Sequence, residues 1–144
     1  MSLFVIGLNH TTAPLVLRER VAFAPSDVAR ALPALQKELG ASAMAQLAVL
    51  STCNRMEVYG VSSAHDATQV LAWLASHHEV PLADLTAHSY VYDGEAAVRH
   101  AFAVASGMDS MVLGEPQVLG QMKQALRMAQ QAQTVDTELL QWFE

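Results

Sequence analysis

An α+β fold, a small sheet with helices packed on it and a helical extension behind, is predicted by three observations. Four short runs rich in Val, Ile, Leu and Tyr recur up to Tyr92, and two stretches between them carry apolar residues at helical spacing. Beyond Asp93 only the helical spacing recurs. Apolar residues make up 52% of the 144, enough surface to offset chain entropy, which excludes a disordered tail or linker. A chain of this length suits one domain that buries roughly 68–70% of its unfolded surface.

Leu3–Asn9 (LFVIGLN) reads as a buried strand, and Pro14 prevents its continuation by removing a donor and restricting its neighbour. Ser26 is the expected N-cap of a helix to about Leu39. Val28, Leu32, Leu35 and Leu39 form its stripe, and Gly40 is placed for a left-handed C-cap. Gln46–Thr52 and Met56–Ser62 are the next strands, separated by Cys53-Asn54-Arg55. A helix over Asp66–His78 carries Val70, Trp73 and Leu74, with Ser63 or Asp66 as cap and Pro81 as its stop. His88–Tyr92 is the fourth strand. The order strand, helix, strand, strand, helix, strand is the ferredoxin-like split βαβ arrangement, βαββαβ.

Asp93 then caps a predicted helix from Glu95 to Ser106, closed by Gly107. Pro116 fits the first turn of another, to about Ala132, with Val118, Met122, Leu126 and Ala129 on one face. Thr134 or Asp136 opens a third pattern containing Leu139, Leu140, Trp142 and Phe143, with no stop signal before Glu144. A helix cut off inside its apolar pattern is expected of the front piece of something longer; a frayed terminus is the other reading.

Eight Lys and Arg against fourteen Asp and Glu give a formal charge of −6, so nucleic-acid contact has to be local. Arg18, Arg20, Lys123 and Arg127 could supply one limited basic patch. A single cysteine rules out an internal disulfide and fits a reducing compartment, the cytoplasm. No run approaches the roughly 18–20 apolar residues of a membrane span. The glycines at 7, 40, 60, 94, 107, 114 and 120 contain no Gly-x-Gly, which excludes a dinucleotide fingerprint in these residues. The six histidines include no pair at i,i+3 or i,i+4, so no zinc or other metal is expected.

Three groups of residues could carry chemistry. Cys53 sits at a strand-to-strand bend among Ser51, Thr52, Asn54 and Arg55. It is either a small buried hydrophobe or a thiolate, favoured by Arg55, that attacks an acyl carbon. Arg99 and His100 interrupt an otherwise apolar helix. They read as a satisfied core histidine with an arginine on a surface carboxylate, or as a histidine held at an acyl site. Ser110, Glu115, Gln117 and Gln121 surround the helix start at Pro116, forming either a solvated Gln-rich side or a grip on a substrate's amino and carboxylate groups.

The segments Gly7-Leu8-Asn9-His10-Thr11-Thr12-Ala13-Pro14, Ser51-Thr52-Cys53-Asn54-Arg55, Ser106 to Gln117 (SGMDSMVLGEPQ) and Leu119-Gly120-Gln121-Met122-Lys123 resemble glutamyl-tRNA reductase. The resemblance runs from Leu3 to the end. It implies that 1–132 is the N-terminal catalytic domain and 133–144 the start of an interdomain helix. NADPH-binding and dimerisation domains would lie outside this chain. It further implies the reduction of glutamyl-tRNA(Glu) by NADPH to glutamate-1-semialdehyde for tetrapyrrole synthesis, with Cys53 holding glutamate as a thioester. Arg55 would meet the substrate's side-chain carboxylate, and Thr52 and Asn54 would line the pocket. Ser110, Glu115, Pro116, Gln117 and Gln121 match substrate-contacting positions, and His100 matches a histidine needed for activity. The implied partners are glutamyl-tRNA(Glu), a second subunit and the downstream semialdehyde aminomutase. A non-catalytic RNA-binding module is the competing expectation from the same strand order, with a regulatory or assembly fragment behind it.

Overall fold

The structure, a computed structural model, describes residues 2–40, 46–62, 67–106 and 117–131. Its elements run β1 (Ser2–Asn9), α1 (Leu15–Arg20), α2 (Pro25–Leu39), β2 (Gln46–Ser51), β3 (Arg55–Ser62), α3 (Ala67–His78), α4 (Leu82–His88), β4 (Tyr90–Asp93), α5 (Gly94–Ala105) and α6 (Gln117–Gln131). The four strands form one antiparallel sheet in the order β2-β3-β1-β4. The predicted α+β class and the βαββαβ order hold, with α1 and α4 as additions.

β1 is apolar on both sides because both are covered: every side chain from Leu3 to Asn9 is buried. One face carries Val5, Gly7, Asn9, Arg55, Glu57, Tyr59 and Tyr90, and α5 packs on it across β1 and β4. The opposite face carries Phe4, Ile6, Leu8 and Val58, all buried. There α2 lies against β2, and α3 against α2 and β1, while α6 packs along β2 and touches both α2 and α5. The predicted stripe of α2 is the buried one, Val28, Leu32, Leu35 and Leu39.

Helix ends differ from expectation in instructive ways. Ser26 is not the N-cap of α2; Ala24 is, and Pro25 takes the first helical position, where a missing N–H costs nothing. Gly40 does close α2 with φ 85°, though with ψ 155° rather than in the left-handed helical region. Asp93 is the N-cap of α5 but makes no side-chain capping bond. α3 ends not on Pro81 but on Glu79 at φ 56°, with Val80 N–H donating to Ala75 O and Glu79 N–H to Ser76 O. This six-to-one closure buries Val80. α5 is not apolar all round: Glu95, Ala96, Arg99 and Phe102 face solvent, and only Ala97, Ala101 and Val104 are buried. The expected caps Ser63 and Asp66, the stop at Gly107 and the pattern from Thr134 lie outside the described residues. Among the described residues no helix is long and apolar enough to cross a membrane.

At the C-terminal end of α3, His77 stacks on Trp73 and Phe23, and its Nε2 reaches Asp27 Oδ2 at 3.1 Å. His78 packs edge-on to Phe23. Burial, then the neighbouring His77, push His78 down to about 4 from the usual 6.5, with Asp27 opposing. The folded chain thus disfavours the protonated ring while the unfolded chain accepts it. Stability is complete above about 6.5 and falls as pH drops toward 4, by about 1–2 kcal/mol for a half-buried ring screened by solvent. Urea midpoints from pH 7 to pH 5 should show this decline in the parent, and His78→Phe should flatten it. An equal slope in both proteins excludes His78 as its source.

Candidate active site

The turn between β2 and β3 is built by Thr52. Its N–H donates to Arg55 O at 2.8 Å, and its Oγ1 accepts the N–H groups of Asn54 at 3.1 Å and Arg55 at 3.2 Å. A side-chain oxygen that takes two successive amides lets a chain reverse in four residues. Cys53 stands exposed at the tip, its carbonyl accepting from Arg18 NH1 at 3.1 Å. A sealed core cysteine, one of its two readings, is therefore excluded.

The Gly7–Pro14 segment meets this turn because Asn9 pairs with Arg55 at the end of the β1–β3 ladder. Asn9 Oδ1 accepts from the N–H groups of Thr11 and Thr12 at 2.9 and 3.1 Å, folding the loop after β1. Phe23 N–H donates to Ser51 Oγ at 2.9 Å, so the segment before α2 is fastened beside the same turn.

Beneath Cys53 lies a charge network that the sequence does not announce. Glu57, wholly buried on β3, sits in register with Leu50, Gly7 and Tyr90 across all four strands. Its Oε1 accepts from the Tyr59 hydroxyl at 2.7 Å and faces Arg55 NH1 at 3.5 Å. Its Oε2 accepts from the Tyr90 hydroxyl at 2.5 Å and from His100 Nε2. Tyr90 lies two strands away, and Gly7 on the strand between makes the reach possible. A Cβ there would stand 2.9 Å from Glu57 Cγ and 2.3 Å from Met56 O.

Burial pushes the Glu57 carboxyl up, but His100, Arg55 and Tyr90 together hold it below its usual 4.5. Burial and the Glu57 charge raise the Tyr59 hydroxyl well above 10. An ionised carboxylate only accepts, so His100 presents a protonated Nε2 to Glu57. Rings of Tyr90 and Tyr92 flank the imidazole at 5.1 and 4.8 Å between centroids. The signal available in sequence was Arg55 and Glu57 two apart, on one face of a strand buried on both faces.

The expected site residues fall unevenly. Arg55 is buried and directs NH1 at Glu57, and the guanidinium bonded to Cys53 is that of Arg18. Thr52 and Asn54 are half-buried in the turn. His100 is tied to that turn through Glu57 and Arg55, while Arg99 turns outward to Glu95 at 2.6 Å. Gln121, exposed on α6, lines a cavity of about 140 Å³ together with Phe23, Val49, Leu50, Ser51 and Met128. Ser110, Glu115 and Pro116 lie outside the described residues, as does the side chain of Gln117. The competing RNA-binding reading needed aromatics on an open sheet, whereas Tyr59 is buried beneath the helical layer.

Residues 6–144 match the family profile of the N-terminal domain of glutamyl-tRNAGlu reductase. The glutamyl-tRNA reductase of Neisseria meningitidis is 46% identical over 145 residues, covering all of this chain and 33% of the relative. That of Marinobacter nauticus is 47% identical over 144 residues, with the same coverage. The solved glutamyl-tRNA reductase from Methanopyrus kandleri shares the fold with a TM-score of 0.76 at 31% identity, over 98% of this chain and 31% of that one. This chain therefore spans about a third of the length of these relatives. Nearly half its residues are held in common with the two bacterial relatives over its whole length, and its fold is that of the solved one; on that ground it belongs to the family of glutamyl-tRNA reductase N-terminal domains.

Proposed function

We propose that this chain performs the acyl-transfer half of the reaction for which its relatives are named. The observation that supports the reading is an exposed thiol at the tip of a rigid turn, backed by a buried ionic network that ends in His100. The Cys53 thiolate attacks the ester carbonyl carbon of glutamyl-tRNA, and the tetrahedral intermediate collapses with cleavage of the bond to the ribose oxygen. The proton from the thiol ends on that oxygen, the tRNA leaves, and glutamate remains as a thioester. Glu57 fixes the orientation of His100, whose Nδ1 is the atom left to accept a hydrogen bond or move a proton at the acyl group. Arg55 faces Glu57 with NH1, and a planar guanidinium fork is suited to the substrate's side-chain carboxylate.

Reduction of the thioester to glutamate-1-semialdehyde, on the route to tetrapyrroles, belongs to the whole protein. NADPH would supply the hydride for it. The residues present do not fit a nicotinamide dinucleotide, having no Gly-x-Gly, and none of them is assigned to hydride transfer. A cytoplasmic setting, a homodimer and passage of the semialdehyde to an aminomutase complete the proposal for the whole protein.

The test is direct. The chain is incubated with glutamyl-tRNA, quenched in acid and examined by mass spectrometry. A glutamyl adduct is expected on the parent and absent from Cys53→Ser. Water should slowly release glutamate and regenerate the thiol, so a weak esterase activity should accompany the adduct. An adduct that survives Cys53→Ser, or none on the parent where the full-length enzyme forms one, rejects the reading.

A further inference from the structure

We infer that Arg18 is a positioning residue for acylation of Cys53, clamping the nucleophile's turn to the loop after β1. The inference rests on Cys53 being the nucleophile. Arg18 Nε donates to Ala13 O at 3.2 Å and its NH1 to Cys53 O at 3.1 Å, so one guanidinium joins two loop carbonyls forty residues apart in sequence. Among the described residues no other side chain is bonded to Cys53. The bonds made by Thr52 stiffen the interior of the turn without attaching its tip to anything outside it.

α1 supports the clamp. Six residues are too few for a helix to persist alone, and this one exposes Leu15 and Val16 while burying only Leu17. It is tethered at its far end by Arg20, whose NH2 donates to Glu79 O at 2.7 Å at the close of α3. The two arginines make α1 a strap from the end of α3 to the nucleophile. A planar fork with separate N–H edges can hold two carbonyls at once, which the point charge of a lysine cannot. Release of the clamp leaves Cys53 attached by its own turn alone, and displacements near 1 Å at a reacting atom cost about 10²-fold in rate.

The experiment compares the parent chain with Arg18→Gln and Arg18→Lys. It measures single-turnover acylation across a range of glutamyl-tRNA concentrations, together with hydrogen exchange at the amides of Asn54 and Arg55. Arg18→Gln should lower the maximal acylation rate about 10- to 100-fold at an unchanged half-saturating concentration, and Arg18→Lys should recover only part of it. The two turn amides should exchange about tenfold faster while Val5 and Val58 keep their protection. A half-saturating concentration that rises at unchanged maximal rate would make Arg18 a contact to the RNA phosphates and overturn the inference. Unchanged acylation would overturn it equally. Should Arg18→Gln lose protection throughout the sheet, the same split is read from Arg18→Lys. If the parent forms no adduct, it is the nucleophile reading that fails, and the exchange data judge the clamp alone. Equal exchange at Asn54 and Arg55 in parent and variant then rejects it, and faster exchange upholds it.

Discussion

Glu57→Ala is expected to lower the unfolding free energy by about 3–5 kcal/mol, measured from urea midpoints at pH 7. The side chain removed is the carboxylate that Arg55, itself 2% exposed, faces at 3.5 Å, so the variant takes a counter-charge away from a buried guanidinium. The hydroxyls of Tyr59 and Tyr90 and the Nε2 of His100 lose their bonds to Glu57 in the same step. Domains of this kind hold about 5–15 kcal/mol in all, which puts the variant near the edge of folding. Replacing both partners, as Arg55→Met with Glu57→Leu, should recover part of the loss, because the buried guanidinium is then removed together with this counter-charge. The acid limb carries the same signature. With its folded value below 4.5, the carboxylate contributes fully above that pH and its contribution disappears as acid titrates the folded group. A cost below about 1 kcal/mol for Glu57→Ala would mean that water reaches the network, contrary to its burial.

Four strands and the larger helices were legible in sequence because each carries a period that burial imposes. Leu3–Asn9 and Gln46–Ser51 are apolar on both faces and are covered on both. α1 and α4 were not legible, because no apolar stripe holds them. Each buries a single leucine, Leu17 or Leu85. α1 owes its place to arginine bonds with carbonyls from Ala13, Cys53 and Glu79, which no periodicity reveals.

The site divides along the same line. Cys53 and Arg55 could be singled out because polar residues crowd a predicted strand bend, and the exposure of Cys53 agrees. The burial of Arg55 and its pairing with Glu57 could not be read, since they depend on which neighbours the sheet order supplies. β1 had to lie between β3 and β4 for Glu57 to meet Tyr90, and α5 had to cover that face for His100 to arrive. Asn9 and Arg55, far apart in the chain, become cross-strand partners for the same reason.

The centre of that arrangement makes the second large prediction, for a substitution that adds only one methyl group. Gly7→Ala should cost about 3 kcal/mol or more, at the upper end of overpacking penalties. The new Cβ would lie 2.3 Å from Met56 O and 2.8 Å from Glu57 Cα, both backbone atoms of the strand paired with β1. A flexible side chain could swing aside, but a paired strand yields only by breaking its ladder. The third close atom, Glu57 Cγ at 2.9 Å, adds a separate consequence, since moving it draws the carboxylate away from Tyr90 and His100. Placing Gly7→Ala in the Glu57→Ala background separates the two. The clash with Met56 O persists while the one with Glu57 Cγ is gone, so the combined loss should fall short of the sum by about 0.5–3 kcal/mol. Gly120→Ala is the matched comparison, for Gly120 lies exposed inside α6 with nothing within 4 Å of its Cβ position. There the same methyl group should stabilise by about 1 kcal/mol through helix propensity alone. If urea midpoints moved the same way for both glycines, the close approach of β1 to Glu57 would not be what fixes Gly7, and the reach of Glu57 across the sheet would need another cause.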